Sequence, residues 1–125
     1  MSQAPNDRKY SAEHQWARPE ADGTIAVGIT DYAQETLGDL VFVQLPEIGR
    51  DVTANEQVAV VESVKTASDV FAPMSGKVIA INDAAADAPE TINEDAYAAW
   101  LFKIQPSNPG EYDALMNAEA YLAAN

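Results

Sequence analysis

The sequence contains no cysteine and a single histidine, and these absences exclude several kinds of chemistry. Without cysteine the chain can form no disulfide, has no thiol nucleophile and offers no cysteine ligand to a metal ion. The lack of disulfides fits a reducing compartment. His14 has no cysteine partners, so it is interpreted as a surface or capping residue and not as a metal ligand.

Basic residues are also scarce. Seven Lys and Arg stand against 20 Asp and Glu, which gives a formal net charge of −13. A chain with this charge repels nucleic acid and anionic membranes. Solubility is the simplest use of the acidic residues. Docking onto basic partner enzymes is the more specific use, because opposite charges speed encounter at low salt.

Long apolar runs are absent as well. No stretch approaches the length of a membrane-spanning helix, and residues 1–9 lack the apolar segment of a signal peptide. We therefore expect a cytoplasmic protein, with a mature organelle protein as the alternative. The length of 125 residues predicts one domain, residues 1–125. Because no large apolar surface stripe is evident, we expect a monomer.

Short β-strand patterns dominate the rest of the chain. They predict a mainly β fold with a core of about residues 9–106 and a C-terminal helical segment of about 108–124. Strands are predicted at residues 13–18, 24–29, 40–45, 57–64, 69–72, 77–82 and 100–105. Residues 83–95 are poor in β-branched side chains and are predicted to form a loop with one helical turn.

Two segments carry helix-end signals. Thr30 is predicted to cap a short internal helix that stops at Gly38. In the C-terminal segment, Asn108 is predicted to cap a helix that has Pro109 at its first position, with Glu111 reaching back to the cap. A break in this last helix is expected near Asn117.

Lys65 stands between the two β-rich stretches 57–64 and 69–72, and none of the other three lysines is framed in this way. At the tip of a hairpin a lysine is accessible to a modifying enzyme, while the strands on both sides hold it in place. The arrangement predicts a carrier whose working part is a modified Lys65. The plainer interpretation is a solvated turn residue, because surface lysines are mostly solvated.

A catalytic lysine is less well supported by the same segment. An amine nucleophile needs burial or a nearby cation to lose its proton, whereas Glu62 and Asp69 flank Lys65 and favour the charged ammonium form. Such a lysine is better suited to activation by a separate ligase. Glu62, three residues before Lys65, is expected to guide that ligase.

Several sequence blocks around and beyond Lys65 carry a family resemblance. They are Val61-Glu62-Ser63-Val64-Lys65, Ala67-Ser68-Asp69-Val70, Ala72-Pro73 with Ser75-Gly76, Lys9-Tyr10-Ser11 with Glu13-His14 and Trp16, Val27-Gly28-Ile29-Thr30, Leu37-Gly38-Asp39 and Val41-Phe42-Val43. Together they resemble the glycine cleavage system H-protein family over roughly Lys9 to Tyr121. Gly49 and Gly76, on either side of Lys65, match the glycines that flank the modified lysine in lipoyl domains.

The resemblance implies a lipoyl/biotinyl-type β-sandwich, or flattened barrel, with a short internal helix and C-terminal helices. It implies lipoate attached to Lys65 as an amide by a lipoyl-attaching enzyme, and a carrier that is not itself an enzyme. The carrier would serve a pyridoxal-phosphate glycine decarboxylase, a tetrahydrofolate-dependent aminomethyltransferase and dihydrolipoyl dehydrogenase. The resemblance also places His14 near the docking surface of the lipoyl arm.

Four alternatives stay open at this point. A biotin carrier has a related fold, but its lysine typically lies between methionines, whereas Val64 and Thr66 flank Lys65 here. A lipoyl-relay protein of the same family would hand lipoyl groups to other acceptors. An enzyme with Lys65 as a catalytic amine and an acidic binding module without a cofactor come from other classes.

Three positions depart from the family pattern. Gln15 stands where the family usually has an acidic residue; it can still accept a hydrogen bond from a loaded amine but brings no charge. Binding of that amine would then depend more on Asp69. Thr66 replaces a common alanine, and residues 96–100 lack the proline and glycine that the family tends to have before Trp100, which leaves the path of that loop open.

Overall fold

The computed structural model describes residues 4–124, and most of its strands belong to one large antiparallel sheet. The strands of this sheet are β1 (Lys9–Tyr10), β2 (Gln15–Pro19), β3 (Ile25–Ile29), β5 (Asp51–Val52), β8 (Gly76–Ile81) and β9 (Phe102–Pro106). Their spatial order is β1-β2-β3-β9-β8-β5.

A second, smaller sheet carries Lys65 at one end. Its strands are β4 (Leu40–Gln44), β6 (Gln57–Ser63) and β7 (Ala67–Phe71), in the order β4-β6-β7 and all antiparallel. The central strand β6 alternates in burial along Ala59–Ser63, as expected for a sheet with one covered face.

The two sheets bury their inner faces in a single hydrophobic cluster. Val27, Phe102 and Ile104 contribute to it from the large sheet. Val61 and Val70 contribute from the small sheet. Two sheets joined by one apolar layer form a β-sandwich, which confirms the mainly β, lipoyl-type sandwich predicted from the sequence.

Within residues 4–124, five short helices lie around the sandwich. They are α1 (Asp31–Leu37), α2 (Asp83–Asp87), α3 (Glu90–Glu94), α4 (Gly110–Asp113) and α5 (Ala118–Ala124). The prediction of a loop with one helical turn at 83–95 is wrong, since two helices separated by Ala88 and Pro89 occupy this region. Proline at the start of α3 interrupts the alanine-rich run, because its ring cannot continue a preceding helix.

The ends of α1 agree with the sequence signals. The Thr30 hydroxyl accepts a hydrogen bond from the Ala33 N–H at 3.2 Å, which caps the first turn. Gly38 ends the helix at φ 85° and donates its N–H to the Gln34 carbonyl. This helix runs directly into β4 and so sets the position of the small sheet.

The C-terminal segment packs back onto the start of the chain. Tyr10 exchanges two main-chain hydrogen bonds with Met116, and the helix is broken there, as predicted near Asn117. Trp16, Ala118 and Tyr121 join Tyr10 in a second apolar cluster. α5 is therefore held against the large sheet by aromatic packing.

The predicted role of Glu111 is wrong. Its carboxylate accepts hydrogen bonds from the N–H and the hydroxyl of Ser75, at 2.9 and 3.2 Å. No side-chain cap from Asn108 forms, and Pro109 occupies the N-cap position of α4. Because Ser75 lies just before β8, Glu111 ties the C-terminal segment to the large sheet.

Among residues 4–124, no helix is long and apolar enough to cross a membrane.

Candidate functional site

Lys65 lies in the tight turn that joins β6 to β7, with its side chain exposed. The buried Ser63 closes the turn: its Oγ accepts hydrogen bonds from the N–H groups of Lys65 and Thr66, at 3.3 and 3.1 Å. The Ser63 main chain adds a bond from its N–H to the Thr66 carbonyl at 2.7 Å. The turn therefore has a fixed backbone while its lysine extends outward.

A second set of bonds braces this turn against the end of α1. The Val64 N–H donates to the Asp39 carbonyl at 3.1 Å. The Asn93 side chain, from α3, donates to the Gly38 carbonyl at 2.9 Å and accepts from the Leu40 N–H at 2.9 Å. Three elements distant in sequence thus meet beside Lys65.

Gly38 is the residue over which the Lys65 side chain lies. A Cβ built on Gly38 would stand 3.6 Å from Cε and 4.0 Å from Nζ of Lys65. Its φ of 85° is in the region that glycine adopts readily. The aliphatic part of Lys65 therefore rests on bare backbone, and its ammonium group stays at the surface.

The strand register places Glu62 and Asp69 on one exposed face. Glu62 is opposite Ala67 and Asp69 is opposite Val60, so the two carboxylates are diagonal neighbours on the outer face of the small sheet. The ion pairs between described side chains join other residues and do not involve Lys65. The ammonium group of Lys65 is thus not fixed in a salt bridge to any of the described residues.

His14 lies at the other end of α1 from Lys65. Its Nδ1 is 2.7 Å from the hydroxyl of Tyr121, and its ring packs against Tyr32 in a tilted arrangement with centroids 4.6 Å apart. Burial lowers the pKa of His14 and raises the pKa of Tyr121 to about 12, so a neutral imidazole faces a neutral phenol. His14 therefore joins β2, α1 and α5, and α1 separates it from Lys65 by about 10 Å of helix.

Gln15 does not present its amide to a ligand. Only 2% of the residue is exposed. Its Oε1 accepts a hydrogen bond from the Ser11 hydroxyl at 2.7 Å, and its Nε2 donates to the Glu13 carbonyl at 2.9 Å. The departure from an acidic residue at position 15 thus places a neutral amide, hydrogen-bonded through both its oxygen and its nitrogen, in a buried position where an unpaired charge would be costly.

The two flanking glycines have separate structural roles. Gly49, at φ 96°, forms an exposed turn and donates its N–H to Val78 at 2.7 Å. Gly76 is buried in β8, where an added Cβ would lie 2.5 Å from the Gln105 carbonyl oxygen. Both contacts belong to the large sheet, so Gly38 is the glycine that the structure brings to Lys65.

Sequence reasoning missed the bracing residues Gly38, Asp39 and Asn93. Leu37-Gly38-Asp39 carried part of the family resemblance, but their role depends on contacts between residues more than 20 positions apart. The one local signal was the left-handed helix end at Gly38.

These features define a class: a small β-sandwich that presents one exposed lysine on a rigid hairpin turn, as lipoyl-type carrier domains do. The comparisons with known proteins agree. A family model described as Glycine cleavage H-protein matches residues 8–124. A glycine cleavage system H protein of Azoarcus sp. is 60% identical over 121 residues, covering 97% of this chain and 95% of that protein.

Two further relatives agree with this result. The "Glycine cleavage system H protein 2" of Pseudomonas aeruginosa is 54% identical over 124 residues, covering 99% of this chain and 96% of that protein. The crystal structure of a glycine cleavage system H protein from Mycobacterium marinum has a TM-score of 0.88 and 48% identity, and the match covers 97% of this chain and 98% of that chain. The chain belongs to the glycine cleavage H-protein family, whose members are carrier proteins and not catalysts.

Proposed function

We propose that this protein carries lipoate on Lys65 and serves as a substrate shared by the glycine cleavage enzymes. It takes an aminomethyl group from the pyridoxal-phosphate glycine decarboxylase to the tetrahydrofolate-dependent aminomethyltransferase, and then electrons to dihydrolipoyl dehydrogenase. When bound, the lipoyl group supplies a disulfide that can be reduced, loaded and reoxidised. The bacterial origin of the relatives supports a cytoplasmic location, and we propose that the carrier acts as a monomer.

The observation that carries this proposal is the turn at residues 63–66. A prosthetic group attached as an amide needs an amine that an enzyme can approach from outside, and Lys65 has one. The attachment point also needs a backbone with a fixed position, and the hydrogen bonds of Ser63 and Asp39 fix the backbone of this turn. The residues present therefore fit an amide-linked group.

The chain contributes position and not chemistry. The fixed turn confines the end of the arm to a small volume, so each transfer takes place at high effective concentration. Acylation removes the charge of Lys65. The carboxylates of Glu62 and Asp69 then remain beside the arm, where they can attract a cationic group or basic residues of a partner.

The proposal predicts that Lys65 alone accepts the lipoyl group. Apo-protein is incubated with a lipoate–protein ligase, lipoate and ATP, and its intact mass is measured. Wild type should gain the mass of one lipoyl amide, and Lys65→Arg should gain none, because the guanidinium is not an acyl acceptor.

Lys77→Arg is the matched control, since Lys77 is an exposed strand lysine on the large sheet. It should be lipoylated at the wild-type rate. Lipoylation of Lys65→Arg, or an unmodified wild type, would contradict the proposal. With the glycine decarboxylase, the aminomethyltransferase and dihydrolipoyl dehydrogenase present, lipoylated wild type should support glycine-dependent reduction of NAD⁺, and Lys65→Arg should not.

A further inference from the structure

Three exposed apolar side chains lie close in the strand register to the turn that carries Lys65. Val41, Phe42 and Val64 are 57%, 48% and 73% exposed. Leu40 pairs with Ser63 and Phe42 pairs with Glu62, so all three lie within the last rows of the small sheet before the turn. We call these three residues the tip patch.

A β-bulge produces the patch. The pairing of β4 with β6 shifts register between Leu40 and Phe42. A regular strand would point Val41 and Phe42 to opposite faces, but here both are exposed while Leu40 and Val43 are buried. Bulges re-aim side chains in this way and are frequent next to functional sites. Neighbouring apolar side chains left in water indicate an interaction surface.

Acidic residues lie on the elements next to the tip patch. Asp39, Glu62, Asp69 and Glu94 lie on the turn before β4, on β6, on β7 and on α3, the helix whose Asn93 bonds to Gly38. The described basic side chains other than Lys65 lie on or beside the large sheet, except that Arg50 also reaches Gln57. Gln57 is at the opposite end of β6, about 20 Å from the turn.

An enzyme that acylates Lys65 has to contact this surface. The inner face of the small sheet is buried, and α1 and α3 cover the side of the turn at Gly38 and Asp39. The outer face next to the turn is the rigid surface left for an active site that takes in the lysine side chain. The negative charge of this surface favours a partner with basic side chains, and its apolar centre favours a partner with an apolar contact area.

We propose that the tip patch is the docking surface for the lipoyl-attaching enzyme, which meets it with an apolar pocket for Phe42 and a rim of basic side chains. This inference rests on the function proposed above. Phe42 is expected to be the main contact, because a central aromatic side chain commonly contributes most to an interface. The carboxylates around it steer the approach and contribute less.

The test measures the rate of lipoylation of apo-protein by a purified lipoate–protein ligase, from intact mass at several protein concentrations. Phe42→Ser should lower kcat/KM by about tenfold, mainly through KM, which corresponds to the loss of one buried contact. Phe42→Leu should retain most of the rate. Ile79→Ser is the matched control, because Ile79 is 39% exposed and also lies at a register shift, but in β8 of the large sheet. Its rate should stay at the wild-type value.

Two further measurements separate docking from other effects. Acylation of Lys65 by a small succinimidyl ester should be equal in wild type and Phe42→Ser, since it needs no docking. Glu62→Gln should make the enzymatic rate less dependent on salt than in wild type, because one steering charge is lost.

The outcomes are distinct. Equal enzymatic rates for wild type and Phe42→Ser, or equal losses for Phe42→Ser and Ile79→Ser, would overturn the docking surface alone. No lipoylation of wild type would overturn the proposed function together with it. If the patch joins two copies of the chain, Phe42→Ser changes the sedimentation coefficient and leaves lipoylation unchanged, and that result also overturns the proposal.

Discussion

The two sheets of the sandwich use basic side chains in different ways. On the large sheet, Arg8 stacks on Trp16 with 4.6 Å from Cζ to the ring centroid and bonds to Asp7 at 2.7 Å. Lys103 lies over Trp100 at 4.9 Å and 3.5 Å from Glu20. These cations are part of the packing of the sheet. On the small sheet, Lys65 rests on the backbone of Gly38 and extends into solvent.

This difference shows what distinguishes a lysine that serves as an attachment point. The aromatic and carboxylate partners of Arg8 and Lys103 restrict the motion of both side chains, and for the Lys103 amine they also hinder acylation. Lys65 has a fixed backbone and a free end instead. The functional lysine is therefore recognised by how its turn is braced, and acidic surroundings alone would not identify it.

The glycines also differ in their surroundings, and the most crowded of them, Gly76, gives the largest expected effect on stability. Gly76→Ala should lower the free energy of unfolding by about 3 kcal/mol, because the new Cβ meets a backbone oxygen that cannot move aside. Gly49→Ala should lower it by about 1 kcal/mol, since its surroundings are open and only the positive φ is unfavourable. Urea unfolding measures both values.

The glycine variants also test whether these residues act on the site. Once folded, both variants should be lipoylated at the wild-type rate, because neither glycine contacts Lys65 in the structure. A stable Gly76→Ala protein that is lipoylated slowly would show that Gly76 shapes the site and not the large sheet.

A smaller effect is expected at the turn itself. Ser63→Ala removes the acceptor of the Lys65 and Thr66 N–H groups, and should lower the free energy of unfolding by about 1 kcal/mol, since both groups can bind water instead. The main result should be local: amide hydrogen exchange at Lys65 and Thr66 accelerates by more than the global destabilisation explains.

Ser68→Ala is the control for this change. Ser68 lies in β7 of the same hairpin, and its hydroxyl makes only a 3.5 Å contact with the Asp69 carbonyl. Its replacement should leave exchange at the turn unaltered. Unchanged exchange in Ser63→Ala would mean that the turn is held by its strands alone, and that the serine bonds do not brace Lys65.

The sequence predicted the elements that depend on local signals. The hairpin around Lys65, the cap at Thr30 and the helix end at Gly38 all follow from a few neighbouring residues. Contacts between distant residues could not be predicted in this way. Asn93 reaches Gly38 over 55 positions and Glu111 reaches Ser75 over 36, and nothing in either segment indicates the other.

The exposed face of the small sheet could be predicted only in part. Alternation along β6 places Glu62 outward, but the tip patch depends on the bulge between Leu40 and Phe42, which a pattern of apolar residues does not reveal. Val41, Phe42 and Val43 form a run of three apolar residues, and such a run is typical of a strand covered on both faces. Only the register with β6 shows that two of the three are exposed.

The smallest expected effect is a pH dependence of stability that comes from His14, beside the large sheet, and leaves the turn of the small sheet unchanged. His14 is the only histidine, so it is the side chain expected to titrate between pH 7 and pH 5. Burial lowers its pKa below the ordinary 6.5, although Glu13 opposes this shift. It is surrounded by Tyr32 of α1 and Tyr121 of α5, and burial keeps the Tyr121 hydroxyl neutral in this range.

The sign of the pH effect follows from linkage. Below pH 6.5 the unfolded chain binds a proton at His14 more readily than the folded chain does, so the stability due to the neutral imidazole is complete above 6.5 and is lost as pH falls towards the folded pKa. The Tm of wild type should therefore decrease from pH 7 to pH 5. In His14→Asn the decrease should be smaller, and asparagine tolerates the φ of 70° at this position.

An NMR titration of the imidazole measures the pKa of His14 directly, and a midpoint at or above 6.5 would contradict the burial argument. Lipoylation of Lys65 should show no difference between wild type and His14→Asn across the same range, because the ring is joined to α5 and the large sheet, and the turn is braced by Ser63 and Asp39.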